Sequence, residues 1–238
     1  MNEQKKSAAV VIPTYNEKDN IVPLARELLK LPFEMKVLVI DDNSPDGTGN
    51  IAREAFADNP AVSVFIREAK KGRGLAGIFG FRQALETGSE VIGEMDGDFS
   101  HHPRFITEMM EKLEDCDVVI GSRYIKGGRD VNRGPLRRVI SNCARMYIRL
   151  ILGINVADPT SGFRLFRRKI MEQIVDSLSA EDPFIVTEVL FYLKKKNARI
   201  AEVPIEFYER KAGVSKLGGR TLLKYLGKVL KLRLNHGR

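Results

Sequence analysis

Short apolar, β-branched runs alternate with amphipathic segments through the first half of the chain. Ala8 to Pro13, Val37 to Asp41, Val62 to Arg67, Val91 to Met95 and Val118 to Gly121 read as strands. Between them the apolar residues recur at helical spacing, roughly over Asp19 to Leu31, Thr48 to Phe56, Leu75 to Thr87 and Arg104 to Leu113. This alternation predicts an α/β fold with a mostly parallel, doubly wound sheet and helices on both faces. Ligands of such sheets bind beyond the carboxyl ends of the strands. The residues there are Thr14 to Glu17, Asp41 to Asp46, Lys70 to Gly74, Asp96 to His102 and Ser122 to Lys126, all rich in polar or charged groups.

After Gly134 the pattern changes to a long helix from about Leu136 to Leu152, a loop Asp158 to Gly162, a helix near Phe184 to Lys196 and a strand pair around Ile200 to Tyr208. Thr221 to Leu234 closes the chain as an amphipathic helix. Lys224, Lys228 and Lys231 share one side of it, and Leu222, Leu223, Leu226, Val229, Leu230 and Leu234 take the other, with Arg233 as the misfit. The apolar side is expected either to lie on a lipid surface or to pack on the sheet.

Length and composition, 238 residues with 43% hydrophobic and 29% charged, suit one domain with its own core. Cys116 and Cys143 have neither metal-ligand spacing nor the numbers of a disulfide framework, which points to a reducing cytosol. The N-terminus lacks the long apolar region and cleavage site of an export signal. Arg145 and Arg149 interrupt the most hydrophobic helix, so no run approaches the roughly 18 to 20 residues that cross a bilayer. The net charge of +8 is uneven: from Arg210 onward there are nine Lys or Arg and no acid, while residues 1–209 hold 30 basic and 31 acidic groups. A basic tail alone fits nucleic acid, anionic lipid or a solvated surface.

The chemistry concentrates at strand ends. Asp96-Gly97-Asp98 follows an apolar strand and offers oxygen ligands of the kind a hard divalent ion takes together with a diphosphate. An isolated Asp-Gly is more often a turn, but Asp41-Asp42 at the end of a second strand favours a site. Within Asp41-Asp42-Asn43-Ser44-Pro45-Asp46-Gly47, Asp46 or Thr48 is placed to cap the next helix, and Asp42 to grip a nucleobase or ribose. Gly72-Arg73-Gly74-Leu75-Ala76-Gly77 matches GxGxxG, with Glu94 at a suitable distance, and raises a dinucleotide-dependent oxidoreductase as a rival. It follows the third strand rather than the first. Arg123 follows a strand directly, and Arg137 and Ser141 lie one turn apart, so they could clamp a phosphate. Arg133, Arg137, Arg138 and Arg145 read for the most part as a solvated helix face, and His101 and His102, beside Pro103, as structural or second-sphere groups.

These motifs resemble those of the dolichol-phosphate mannosyltransferases, members of glycosyltransferase family 2 with the GT-A fold. Val11-Ile12-Pro13-Thr14-Tyr15-Asn16-Glu17, Asp41 to Thr48, Met95 to Pro103, Gly121 to Tyr124, Ser161-Gly162-Phe163-Arg164 and Ser215-Lys216-Leu217-Gly218-Gly219 occur in order along nearly the whole chain. The resemblance implies that Pro13, Tyr15, Glu17, Ile40 and Asp42 hold the guanosine of GDP-mannose. It implies that Asp96, Gly97 and Asp98 hold ribose, diphosphate and a Mg2+ or Mn2+ ion, with Ser100 as a further metal ligand. Arg123, Arg210 and Lys216 would meet the diphosphate and sugar, and Arg137 and Ser141 the phosphate of a dolichyl or polyprenyl acceptor. Three positions depart from the pattern: Asn43 replaces a common third Asp, Gly97 the usual Ala, and Ser100 a Gln that ligates metal in some members. Relatives that use UDP-glucose with polyprenyl phosphate share the motifs.

The implied division is a nucleotide-sugar half over residues 1–121, an acceptor half over 122–217 and a basic tail over 218–238. Asp96, Asp98, Arg123 and Arg137 would carry catalysis as a β-D-mannosyltransferase, a single inverting displacement. A phosphate monoester, with its second pKa near ~6, needs no general base. The tail then implies peripheral association with the cytoplasmic face of a membrane, directly or through a membrane-anchored partner subunit. No nucleic acid is expected, because the tail offers only Tyr225 as a stacking platform.

Overall fold

The computed structural model describes residues 6–131, 135–208 and 219–236, the side chains of 135–138, 219–222 and 236 excepted. The first half runs β1 (Ser7–Thr14), α1 (Ile21–Leu29), β2 (Glu34–Asp41), α2 (Thr48–Ala55), β3 (Val62–Ile66), α3 (Arg73–Glu86), β4 (Val91–Glu94), α4 (Phe105–Lys112) and β5 (Val118–Ser122). There follow β6 (Arg129–Val131), α5 (Pro135–Leu152), β7 (Arg164–Arg167), α6 (Arg168–Glu172), α7 (Ile185–Lys195), β8 (Ile200–Pro204), β9 (Glu206–Tyr208) and α8 (Gly219–His236).

Strand periodicity divides the core between the two faces of the sheet. Ala8, Val10 and Ile12 of β1 pack with Ile21, Leu24 and Leu28 of α1 and with α2 and α4. Their neighbours Ala9 and Val11 face the opposite way, toward α3, α5, α7 and α8. In α1 the buried Ile21, Leu24, Ala25 and Leu28 recur at i, i+3, i+4 and i+7, so one stripe meets the sheet. Each fully buried aliphatic side chain of this kind is worth about 1.5–3 kcal/mol.

The sheet order is β3-β2-β1-β4-β7-β5-β8. β1 pairs in parallel with β2 and β4, β2 with β3, and β5 with β8. β7 lies antiparallel between β4 and β5, so the sheet is mostly parallel. The expected strand pair near 200–208 is not a hairpin. β8 joins β5 in the main sheet, whereas β9 pairs with β6 in a separate two-stranded ribbon, because only Ile205 separates them and the chain passes straight on. No helix among the described residues is long and apolar enough to cross a membrane.

The closing helix forms, but with a different side inward. Val229 and Leu232 are buried in the core and Tyr225 packs beside them, while Leu223, Leu230 and Leu234 are exposed. Angle counting finds an apolar sector, but the neighbours choose which part of it is covered. Tyr225 meets Thr187 of α7 side chain to side chain, the Leu226 carbonyl accepts from the Tyr147 hydroxyl of α5 (3.2 Å), and Lys228 pairs with Asp182.

Candidate active site

The carboxyl ends of β1, β2 and β4 lie side by side, and three loops leave them in strained backbone. Asn16, Asn43 and Phe99 have φ of 61°, 50° and 58°, three of the four non-glycine residues with positive φ among those described. Such conformations cost about 1–3 kcal/mol each and persist where the surroundings impose them. Here hydrogen bonds supply that constraint. Asp41, fully buried, accepts from the Thr14 hydroxyl (3.2 Å) and from Ser44 N–H (2.9 Å). Asp46, one residue before the Gly47 N-cap of α2, accepts from Thr48 N–H (3.0 Å), the first N–H of the helix. Thr48 in turn accepts from Glu17 N–H at 2.9 Å.

Asp42 is buried and pairs with Arg67 through one oxygen, while the other accepts from Gly72 N–H (2.7 Å). It therefore fastens the segment 67–72 over the end of β2. Lys71 of that segment lies above the exposed Tyr15 ring, 5.1 Å from its centre. Ile40 is fully buried, its side chain in the core cluster that includes α3, so it can serve a ligand only through its backbone.

Asp96 and Asp98 lie in the turn after β4, both partly exposed. Arg73, at the start of α3, donates to Asp96 Oδ1 (2.9 Å) and to Glu94 Oε1 (3.0 Å). Burial disfavours the Arg73 charge, yet the two carboxylates outweigh it and hold the guanidinium protonated. Glu94 is buried at the end of β4, and burial raises its pKa against the opposing pull of Arg73 and Arg164. Arg164, fully buried on β7, is pulled by burial down to about 10 and donates to the Val186 and Pro159 carbonyls. A side chain at Gly162 would stand 2.6 Å from Arg73 Nη2 and 3.6 Å from both Asp96 oxygens, so that glycine makes room for the pair. The Ser161 to Arg164 motif thus borders the DxD centre.

His101 is buried, stacked on Phe163 (5.2 Å, 21°) and edge-on to Phe207, with Nδ1 3.7 Å from Asp96 Oδ2. Burial lowers its pKa, so the ring is neutral near pH 7. Its position is that of a structural wall. His102 Nδ1 accepts from Arg104 N–H at 3.2 Å. The Ser100 hydroxyl is buried with no hydrogen-bond partner among the described residues, and Ser100 N–H donates to Asp98 Oδ1 (3.0 Å). With Asp96 and Asp98 these oxygens form a donor set that suits a hard divalent cation.

Directly after β5, Arg123 is nearly buried. Its Nε and Nη2 donate to the two oxygens of fully buried Asp158 (2.7 and 2.8 Å), and Nη2 also reaches Thr160 (2.8 Å). Its plane lies against Tyr124 and Phe207. A fork used in this way anchors the 158–162 loop, with Nη1 making no hydrogen bond among the described residues. Ser141 is half-buried in the second turn of α5, and Arg137 belongs to the turn before it, its side chain outside the described residues. Arg210 and Lys216, with the Ser215 to Gly218 motif, also lie outside them. Arg145 is no free surface group: it stacks 3.5 Å from the Tyr124 ring centre and donates to the Ala157 carbonyl.

The GxGxxG string has a packing explanation. A side chain on Gly72 would run into the Glu181 carbonyl and one on Gly74 into the Ala180 carbonyl, whereas one on Gly77 would make ordinary contact with Glu94 Oε1 at 3.5 Å. Gly74 N–H donates to Glu181 O at 3.0 Å. Protein backbone fills the space that a dinucleotide's diphosphate would need, β3 is the sheet edge, and Glu94 is committed to Arg73. Sequence reasoning left Arg73 as a charge suited to diphosphate or solvent, and gave Asp158 and Arg164 no role of their own in the site. The signal for Arg73 was a charged residue between two glycines at a helix start.

Residues 9–175 match the family described as glycosyl transferase family 2. The undecaprenyl-phosphate mannosyltransferase of Micrococcus luteus is 40% identical over 210 residues, which cover 88% of this chain and 86% of that relative. The polyprenol monophosphomannose synthase of Mycolicibacterium smegmatis is 37% identical over 224 residues, 92% of this chain and 84% of that one. Among solved structures, glucosyl-3-phosphoglycerate synthase of Mycobacterium tuberculosis, crystallised with Mn2+, UDP and glucosyl-3-phosphoglycerate, shares the fold. Its TM-score is 0.69 at 18% identity, over 97% of this chain and 79% of that one. The same enzyme with Mg2+ and UDP gives a TM-score of 0.69. The architecture is therefore the GT-A fold, and the chain belongs to glycosyl transferase family 2.

Proposed function

We propose that this protein transfers mannose from GDP-mannose to the phosphate of a polyprenyl lipid of the dolichyl class, making a lipid-phosphate mannose. The observation that carries the reading is the DxD pair at the end of β4, with the β1 loop beside Gly97, in a family 2 chain whose relatives bear the names of polyprenyl-phosphate mannose enzymes. Residues 1–121 serve the donor, 122–217 the acceptor and 218–238 the membrane side.

In the reaction an acceptor phosphate oxygen attacks the anomeric carbon opposite GDP. One C–O bond forms as the bond to the diphosphate breaks, and GDP leaves. The acceptor is already anionic at neutral pH, so the protein's contribution is positional and electrostatic. Tyr15, Pro13, Glu17 and the Asp42 loop border the nucleotide, and Arg123 Nη1 with Arg137 and Ser141 draws the phosphate toward the sugar. Asp96, Asp98 and Ser100 would hold Mg2+ or Mn2+, which offsets negative charge on the departing diphosphate.

A lipid acceptor requires approach to a bilayer, and the surface supports one. Ten large apolar side chains are exposed among the described residues, and seven of them lie on the neighbouring helices α5 and α8. Val139, Met146 and Leu150 form one stripe, and Leu223, Leu230 and Leu234 another of the same spacing. Neither helix contains an acidic residue, and Arg149, Lys224, Lys231 and Arg233 are exposed beside the stripes. Such a surface suits the interface of an anionic membrane. The test of the reaction is incubation of the protein with Mn2+ and a short polyprenyl phosphate, together with GDP-mannose, UDP-glucose or UDP-mannose. Product with GDP-mannose is expected; product only with a uridine donor would overturn the donor assignment, and none with any donor the reaction itself.

A further inference from the structure

The DxD centre contains its own cation. Arg73 touches both Glu94 and Asp96, its side chain is only 21% exposed, and Gly162 leaves it the space to do so. The fully buried Arg164 also interacts electrostatically with Glu94. Two guanidinium groups thus face the Glu94 and Asp96 carboxylates, and the first DxD carboxylate is already neutralised by protein. The other Asp96 oxygen lies 3.7 Å from His101 Nδ1. No cluster of three or more acidic, His or Cys side chains able to hold a metal exists among the described residues.

We propose that Arg73 makes metal binding depend on the nucleotide: by occupying Asp96 it keeps the affinity for a bare divalent cation low, so the ion enters together with the donor's diphosphate. The physical reason is charge balance. A dication placed near a guanidinium–carboxylate pair is attracted by Asp98 but repelled by Arg73, and the repulsion is removed only when a ligand carrying several negative charges arrives. Arg73 is in this sense a positioning residue, acting through Asp96. The inference rests on the glycosyltransferase reading above and goes beyond it, because the DxD pair alone would chelate metal with or without donor.

The experiment measures Mn2+ binding by the electron paramagnetic resonance signal of the free ion, with and without GDP. Wild type should bind Mn2+ weakly alone and far more tightly with GDP. Arg73→Gln should bind Mn2+ alone about tenfold more tightly, the effect of one lost unit charge on a nearby dication at solvent-like screening. The gain on adding GDP should shrink correspondingly. Arg73→Lys, which keeps the charge, should resemble wild type. If Arg73→Gln loses its fold by circular dichroism, Arg73→Met/Glu94→Gln takes its place with Glu94→Gln alone as its reference, so that the comparison isolates the loss of the Arg73 charge. Bare Mn2+ affinity that is unchanged or weaker in the folded charge-removing variant overturns the role of Arg73. Failure of wild type to bind Mn2+ with GDP would instead overturn the functional reading on which it stands.

Discussion

Removing Asp158 should cost more than the loss of any single exposed charge, and its size follows from the surroundings of Arg123. The Asp158 side chain is 0% exposed and that of Arg123 8%, so water does not replace the pair when one member goes. Asp158→Ala leaves a nearly buried guanidinium with Thr160 as its remaining side-chain acceptor. Breaking a buried pair from one side costs about 3–5 kcal/mol, against a total stability of about 5–15 kcal/mol for a domain. Replacing both members by apolar groups, Arg123→Met/Asp158→Leu, should recover most of that loss, since desolvation of the pair disappears with it. Urea unfolding followed by circular dichroism measures both. The acid limb gives a second reading. Burial alone would raise the Asp158 carboxyl, but the hydrogen bonds and charge of Arg123 outweigh it and hold the group below its ordinary 3.8. A carboxylate depressed in the folded state contributes stability that is complete above the unfolded value and is lost as pH falls through the folded one. Wild type should therefore lose stability below about pH 4 with a component that Asp158→Asn lacks. A loss under about 1 kcal/mol for Asp158→Ala would mean that Arg123 turns to solvent unaided, and the reasoning that makes it an anchor would be wrong.

Three further outcomes are expected. Asp98→Ala should abolish transfer and metal-dependent GDP binding with little change in melting temperature, because Asp98 lies in the turn beyond β4; wild-type transfer should stop in EDTA, and full activity in the chelator would refute the metal's role. Gly74→Ala should destabilise by about 1–3 kcal/mol in urea, since the methyl meets the Ala180 backbone, whereas Gly227→Ala, with nothing within 4 Å, should stabilise α8 by up to about 1 kcal/mol. Leu223→Ser/Leu230→Ser/Leu234→Ser should reduce sedimentation with anionic liposomes without changing use of a water-soluble acceptor analogue, and unchanged liposome binding in low salt would move the membrane contact elsewhere.

The elements that the residue pattern reveals are those whose burial is complete on one or both faces. β1, β2, β4 and β5 are near-continuous apolar runs and stand within a few residues of their expected bounds. β7 escaped notice because half of Arg-Leu-Phe-Arg is charged. Only the tertiary partners of Arg164, the Val186 and Pro159 carbonyls and nearby Glu94, make a buried arginine on a central strand tolerable. The DxD pair was legible because its two carboxylates are adjacent in sequence. Its supporting groups were not, since Arg73 and Asp96 are 23 residues apart and Arg123 and Asp158 are 35 apart. The orientation of α8 was hidden for a related reason. Its apolar sector is wider than the surface available to receive it, and Tyr225, which angle counting left aside, is seated by Thr187.

The GxGxxG segment shows how one local string acquires its meaning from what fills it. In a dinucleotide site, glycines let backbone approach a diphosphate at a helix N-terminus. Here the same small residues let the 180–182 backbone approach α3, and Gly74 N–H is spent on Glu181 O rather than on an anion. The positive charge that the helix start still contributes comes from a side chain, Arg73, and it points not outward but across to Asp96. On the proposed reading, a helix start closed to phosphate by backbone and turned into the counter-ion of a DxD carboxylate would leave the binding of a diphosphate to a metal at the DxD pair and to Arg123. That is why the string, read as a nucleotide motif, names the wrong cofactor while still lying beside the chemistry.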